Sequence, residues 1–303
     1  MSEPKAVIVK LKGGMGNQMF QYAFGRMLAV SAKKAGVPVN IQYDTTAYSN
    51  PIKKDTKRPY YLDVMNTSAV VASDAEALKA RNPFGLVSQV IRKLKNKLSP
   101  ESEMIVAFYS DLFTPPYKNY YEGYWQSEKY FLPIADEIRQ EFTLKEPLGA
   151  TAKALYEQIA ADPNAVSIFY RRTDYVGHST FDIGEQDYQK RAMANMQELV
   201  PNLRYYVMSD DIAWVEANAD LPAGSIFVSS PKSDMVSSKA IPPEEEMVLA
   251  SACQHHIIPN STYAWWGAWL GHNPNKIVIA PKNWANVTND EYKDITPPAW
   301  LRV

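Results

Sequence analysis

The chain has 303 residues, 46% of them hydrophobic and 21% charged, with 32 Lys and Arg against 33 Asp and Glu for a formal net charge of -1. That composition excludes an intrinsically disordered chain, and the charge balance argues against a nucleic-acid binder, which needs a basic field to compete for phosphates. The lone cysteine, Cys253, excludes an internal disulfide and a thiolate metal cluster and suits a reducing compartment.

At about 150 residues per domain, the length allows two domains. The opening residues, MSEPK, lack the apolar stretch of a signal peptide. The most apolar runs, at 6–9, 263–270 and 277–280, fall far short of the roughly 18 residues of a membrane span. Residues 6–11 (AVIVKL) predict a buried strand. A turn follows at Gly13, Gly14 and Gly16, and 18–33 has the apolar period of a helix. A second strand is expected over 37–43, ending at Asp44, an α/β opening. Residues 50–73 bear Pro and Tyr and read as irregular. Leu86, Val90, Leu94 and Leu98 predict an amphipathic helix over 84–98. Its Arg92, Lys93, Lys95 and Lys97 suit peripheral contact with an anionic membrane, or a solvated face. A helical segment at 134–142 precedes a change of character at 145–150 (KEPLGA), which divides the chain into domains 1–148 and 149–303.

The second half alternates regularly. Strands at 166–170, 203–208, 226–229, 255–258 and 276–280 are interleaved with helices at 186–199, 212–218, 244–253 and 262–270, the pattern of a doubly wound parallel sheet. Ligands bind such sheets beyond the carboxyl ends of the strands, which points at 171–174, 209–211, 229–230 and 260–262.

Arg171 and Arg172 leave one of these strand ends. Side chains alternate along extended backbone, so Arg171 is aimed at a ligand and Arg172 or Asp174 forms supporting ion pairs. A guanidinium offers a fixed fork to diphosphate oxygens; the alternative is a structural Arg–Asp pair. Asn260, Ser261 and Thr262 precede an apolar helix. Asn260 or Ser261 is expected to cap it, and its open N–H groups form an anion site. There is no Asp-x-Asp pair, and His178, His255, His256 and His272 lack ligand spacing, so no metal is expected. GGMGNQ at 13–18 partly matches a dinucleotide fingerprint, but Met19 stands where its third glycine belongs. The glycines more simply allow close backbone approach to a ligand, with Asn17 and Gln18 as hydrogen-bond donors. The 7 Trp and 19 Tyr suit stacking on sugar faces, or packing.

These blocks carry a resemblance. KLKGGMGNQMFQYAFG at 10–25 resembles the opening of the α-1,2-fucosyltransferases, family 11 of the glycosyltransferases, and GYWQSEKYF at 123–131 is similar to a second block. RRTDY at 171–175 resembles the H-x-R-R-x-D-Y motif shared by α-1,2, α-1,6 and protein O-fucosyltransferases. SDD at 209–211 and IIPNSTYAWWGAW at 257–269 match two more blocks. The resemblance implies an α/β fold of two Rossmann-like domains facing across a cleft, the GT-B type. It also implies GDP-L-fucose as donor, no metal or other cofactor, and inversion at the anomeric carbon. By the same resemblance Arg171 grips the β-phosphate, Asn17, flanked by Gly16 and Gln18, reaches the donor, and Ser261 and Thr262, next to Asn260, lie beside the diphosphate. Arg172, Ser209 and Asp210 belong to the matched donor-side blocks. Glu246, near a family acidic position ahead of CQH at 253–255, reads the guanine N–H edge. Two positions depart from the pattern: Phe169 replaces the motif histidine, and Glu246 stands where Asp is common.

The expected reaction is displacement of GDP by the 2-hydroxyl of a galactoside, an oligosaccharide or lipid-linked glycan of surface-polysaccharide synthesis in the cytoplasm. Arg171 and the helix end stabilise the departing diphosphate. Asp174, His178 and Asp182 are candidate general bases, and proton loss to phosphate or water is the alternative. The acceptor is expected against Tyr124, Trp125 and Gln126 of the N-terminal domain, with core packing the other reading of Trp125. Competing functions are transfer of another nucleotide sugar on the same scaffold, a carbohydrate-binding module, and an NAD oxidoreductase. An arginine crevice is surplus to a module that binds neutral glycans, and Met19 disfavours NAD.

Overall fold

The computed structural model describes residues 4–49, 58–85, 106–229, 241–287 and 290–303. The helix expected over 84–98 lies outside these from position 86 onward. The chain divides into two compact units, Met1–Lys145 with Asp290–Ile295, and Glu146–Asn289 with Thr296–Val303.

In the first unit, β1 (Lys5–Lys10) buries Val7, Ile8 and Val9 on both faces, as a central parallel strand must. It is flanked by β2 (Val39–Asp44) and by the two-residue β3 (Tyr120–Tyr121), both parallel to it. Between β1 and β2 runs α1 (Met15–Lys34), with Lys33 and Lys34 in its last turn complementing the negative end of its dipole. The helix begins earlier than its apolar period suggests, so Gly16, Asn17 and Gln18 are first-turn helical residues and not loop. Gly13 makes this possible. Its φ is +82°, and a Cβ there would fall 2.6 Å from Asn17 Nδ2. Phe24 of α1 is the hub of an aromatic core, with Trp125 stacked on it at 4.0 Å and Tyr121, Tyr130 and Phe113 within 5.6 Å. A further helix, α2 (Asp74–Arg81), opens with a capping box between Ser73 and Glu76. The short α3 (Ala135–Glu141) closes the unit's contiguous part.

The second unit opens with α4 (Ala150–Ala160). Then follow β4 (Ala165–Tyr170), α5 (Glu185–Leu199), β5 (Arg204–Ser209), α6 (Ile212–Asn218) and β6 (Ile226–Phe227). After them come α7 (Pro243–Ala252), β7 (His255–Ile257), α8 (Thr262–Leu270), β8 (Val278–Ala280) and β9 (Leu301–Arg302). The six strands are all parallel in the order β6-β5-β4-β7-β8-β9. The C-terminal strand β9 adds a sixth to the five expected. In this order the chain winds outward from β4 in one direction and then returns to wind outward in the other. The topological switch point is therefore the carboxyl end of β4, where a doubly wound sheet opens its ligand crevice. Every residue of β4 is buried. Ile168 and Tyr170 face a core formed with Tyr188, Ala192 and Met196 of α5 and Ile212 and Val215 of α6. By alternation Phe169 faces the other side, where its ring meets Tyr263 of α8 edge-on at 5.8 Å. The residue replacing the motif histidine is thus a packing ring, 4% exposed.

Candidate functional site

Arg171 emerges at the switch point, one residue past β4. Its Nη2 lies 2.6 Å from Asp174 Oδ1 and its Nη1 3.1 Å from Asp210 Oδ2, while its guanidinium carbon stands 5.1 Å from the Tyr175 ring centre. Asp210, just past β5, is the organiser. Oδ1 accepts from the Arg172 backbone N–H at 2.8 Å, and Oδ2 accepts from Thr173 Oγ1 at 2.5 Å as well as pairing with Arg171. Expected to bind donor, Asp210 instead spends both oxygens fixing the arginine segment. Arg172 lays its guanidinium 3.5 Å over the Trp214 ring of α6, a cation–π contact, and borders the same pocket as Arg171. Its Nε has no hydrogen-bond partner among the described residues. Alternation separates the two arginines as their sequence suggests; of Arg172 and Asp174, the two candidates for a supporting ion pair, Asp174 forms it with Arg171 and Arg172 takes an aromatic partner.

A second polar cluster adjoins on the Phe169 side of the sheet. Ser209 N–H donates to Ser229 Oγ at 2.8 Å, and Ser229 Oγ in turn makes a short hydrogen bond to Glu246 Oε2. The Ser209 hydroxyl accepts from Asp211 N–H, so Ser209 also braces its own turn. Tyr263 Oη lies 2.6 Å from the Pro243 carbonyl and 3.1 Å from Glu246 Oε1. Desolvation pushes the Glu246 carboxyl up to about 7, and the nearby Asp210 charge pushes the same way. A proton on Glu246 also suits Tyr263, which has one proton and two acceptors to serve.

At the start of α8, Ser261 occupies the N-cap position but makes no side-chain capping bond. Asn260 does not cap either: its Nδ2 donates to the Phe181 carbonyl at 3.0 Å and the Trp284 carbonyl at 2.9 Å. The expected capping is therefore absent at this end, because Asn260 is committed to tying down neighbouring loops. Thr262 is the first helical residue. The N–H groups of a helix's first turn have no partner within the helix itself.

The candidate bases are occupied. Asp174 holds Arg171. His178 is exposed, and its Nδ1 accepts from the N–H groups of Thr180 at 3.2 Å and Phe181 at 3.4 Å, which leaves the ring proton on Nε2. Asp182 accepts from Gly177 N–H at 2.8 Å and Gly184 N–H at 3.2 Å, and these bonds hold its carboxyl below the usual carboxylate range. His256 is fully buried with Nδ1 2.8 Å from Ser167 Oγ, and burial drives its pKa well down.

In the first unit, Gln18 is completely buried. Its Nε2 donates to the carbonyls of Gly13 and Pro59, and its Oε1 accepts from Tyr61 N–H. It staples backbone and has nothing left for a donor, against expectation. Gly16 is likewise buried. Asn17 is better placed. Its Oδ1 accepts from Gln126 Nε2 at 2.8 Å, which commits the oxygen and presents Nδ2. Gln126 is thus the support of Asn17. Trp125 is 0% exposed and stacked on Phe24, so it has no face for a sugar. Only Tyr124 of the expected acceptor trio offers a half-exposed ring, with Lys12 Nζ 4.6 Å above it. Trp214 and Ser229 border the site with no signal in the sequence beyond their nearness to strand ends, while Tyr263 falls within the matched block at 257–269.

The profile of "Glycosyl transferase family 11" matches residues 88–303. An alpha-1,2-colitosyltransferase of Escherichia coli is 31% identical over 98% of this chain and 98% of its own length. The O-antigen biosynthesis glycosyltransferase WbnK, also of Escherichia coli, is 27% identical over 97% and 99%. Among solved structures, the fucosyltransferase NodZ from Bradyrhizobium superposes with a TM-score of 0.51 at 13% identity, covering 88% of this chain and 93% of that one. An alpha-1,6-fucosyltransferase NodZ soaked with GDP-fucose gives 0.50 at 15% identity over 91% and 95%. These likenesses show the fold, two Rossmann-like α/β units of the GT-B type.

Proposed function

Because this chain belongs to glycosyl transferase family 11, we propose that it transfers L-fucose from GDP-L-fucose to the 2-hydroxyl of a galactoside, with inversion, in surface-polysaccharide synthesis. The observation that carries this reading is Arg171 at the switch point of the second unit's sheet, fixed by Asp210 and matching the arginine of the fucosyltransferase motif. In this reading the diphosphate lies against Arg171 and the first-turn N–H groups of α8, with Ser261 and Thr262 beside it and guanine toward Glu246. The acceptor oxygen bonds to the anomeric carbon as the bond from that carbon to the β-phosphate oxygen breaks, and GDP leaves with the bonding pair. Arg171 and the helix dipole stabilise the charge it carries away. With Asp174 and His178 engaged, the acceptor proton passes to water or to the departing phosphate. No metal takes part, so EDTA is expected to leave turnover unchanged. By the family resemblance Asn17 is assigned to the donor and Tyr124 to the acceptor. Among the described residues no helix is long and apolar enough to cross a membrane.

The experiment is incubation with GDP-L-fucose and a panel of galactose-terminated oligosaccharides, followed by linkage analysis. An α-1,2-fucosylated product is expected, and no transfer to any member overturns the reading. A second reading, colitose transfer, is favoured by the full-length match to a colitosyltransferase. Colitose is fucose without its 3-hydroxyl, so parallel assays with GDP-colitose decide between the two.

A further inference from the structure

The carboxyl ends of the first unit's strands carry a cluster of charge that the donor chemistry does not use. Glu122, just past β3, is met by three cations. Lys10, the last residue of β1, makes a short bond to its Oε1, and Lys12 Nζ stands 3.8 Å from the same oxygen. Arg81, the last residue of α2, brings Nη2 to 3.3 Å from Oε2. Burial alone would raise the Glu122 carboxyl, yet Lys10, Arg81 and Lys12 together hold it below the ordinary carboxylate range. The nearest other acid, Asp44 at the end of β2, is spent elsewhere. Its Oδ2 accepts from the Tyr120 hydroxyl, and its Oδ1 accepts from the backbone N–H of Thr46 at 2.9 Å and the Thr46 hydroxyl at 2.6 Å.

Three cations thus converge on one carboxylate in a chain whose formal net charge is -1. All are largely withdrawn from water: the side chains of Lys10, Lys12 and Arg81 are 11%, 19% and 29% exposed. Desolvating a cation is costly unless an anion shares it, so a surplus held in place for folding alone is unfavourable. A purely structural pair in the same unit looks different. Arg26 gives both Nε and Nη2 to Glu141, one guanidinium to one carboxylate. Arg81 meets Glu122 through Nη2, while its Nε is buried with no hydrogen-bond partner among the described residues. Lys12 also lies 4.6 Å over the ring of Tyr124, so the cluster adjoins an aromatic face. Parallel sheets bind ligands at this end of their strands.

We propose that Lys12 and Arg81, tethered by Glu122, bind a carboxylate on the acceptor glycan, and that this acceptor is an acidic oligosaccharide with a hexuronate-type sugar beside its galactose. The inference rests on the galactoside reading above, which supplies the acceptor. The nearness of Lys12 to the Tyr124 ring favours a charge borne by the stacked sugar itself, since a hexuronate carries its carboxylate one carbon off the ring. A guanidinium and an ammonium flanking one site match the two oxygens of such a group.

Ligand-observed NMR titration with GDP present tests this without relying on turnover. The probes are a galactosyl-glucuronic acid disaccharide, its uncharged methyl ester, and galactosyl-N-acetylglucosamine as an alkyl glycoside and as an alkyl diphosphate. The acid is expected to bind about tenfold more tightly than its ester, the usual gain from hydrogen bonds to a charged group. Lys12→Gln and Arg81→Gln should each narrow that ratio at least about threefold, and because acid and ester are compared within one variant, a general loss of fold would not imitate the effect. Equal binding of acid and ester by the unmodified protein overturns the proposal, as does a ratio undiminished in both variants. A gain for the alkyl diphosphate over the alkyl glycoside, with none for the acid over its ester, overturns it in favour of a phosphate of a lipid carrier. The galactoside reading fails separately if the acid binds as expected but accepts no fucose from GDP-L-fucose.

Discussion

Arg171 Nη2 and Asp174 Oδ1 are 2.6 Å apart, in a pair whose carboxylate side chain is 42% exposed and whose guanidinium is 21% exposed. The more exposed partner is the one an arriving anion displaces, while the Asp210 contact keeps the arginine in place. Arg171→Ala should cut transfer about a hundred- to thousandfold, the usual cost of one preorganised charge-stabilising group. Asp174→Asn removes the competitor and should tighten GDP binding by up to about fivefold, as expected for a partly exposed ion pair. Calorimetry and steady-state rates read both. A collapse of turnover in Asp174→Asn with GDP affinity unchanged would instead make Asp174 the base.

Glu246 gives the site a pH dependence. Its folded pKa of about 7 stands above the ordinary carboxylate value, so the folded state holds a proton that the unfolded chain has released. Stability on this account is fully present below the unfolded pKa near ~4.5 and falls as pH rises toward 7, by at most about 3 kcal/mol. Glu246→Gln, neutral throughout, should lose less of its unfolding free energy between pH 5 and pH 8 than the unmodified protein does. If the carboxylate accepts the guanine N–H groups, GDP affinity should rise with pH through the same range and flatten in the variant. Parallel pH slopes for the two proteins would remove Glu246 from the site.

How much of this was legible depends on whether a residue's partner is local. Strands β1 and β4 announce themselves as continuous apolar runs, and α8 as a longer apolar run opened by the polar residues Asn260, Ser261 and Thr262. The capping box of α2 is also local, Ser73 with Glu76 three positions on, and was readable in a stretch that otherwise shows no period. The two-residue strands β3 and β9 exist only because β1 and β8 offer free edges, which no window of sequence records. The same division runs through the site. Arg171 stands out because it ends an apolar strand. Gln18 and Trp125 lie in motif blocks that look functional, yet their partners, Tyr61 and Phe24, show them to be the frame on which Asn17 and Tyr124 are mounted. A block match marks both kinds of residue, and burial separates them.

His178 provides a test of the unassisted displacement. Its Nδ1 receives two backbone N–H groups, which commits that nitrogen to bracing the loop. His178→Ala should therefore preserve the shape of the pH–rate profile, with rates reduced by about tenfold or less through loop disorder. General-base action typically contributes about a hundred- to ten-thousandfold, so a larger loss together with disappearance of a limb near neutral pH would show that His178 takes the acceptor proton.

Tyr124 and Trp125 are adjacent, and their substitutions should separate cleanly. Trp125 holds φ +47°, a conformation rare for a bulky residue, and the parallel stack on Phe24 at 4.0 Å is what keeps it there. Trp125→Ala leaves a cavity beside Phe24 and should cost about 3–5 kcal/mol, seen as a fall in the denaturant midpoint. Tyr124 is half-exposed and gives up its contact with Lys12, so Tyr124→Ala should cost about 1 kcal/mol or less. Its effect should appear in the acceptor KM, with GDP affinity unchanged. An acceptor KM that is unmoved in Tyr124→Ala would take the ring out of acceptor recognition, leaving it as a cover over Lys12.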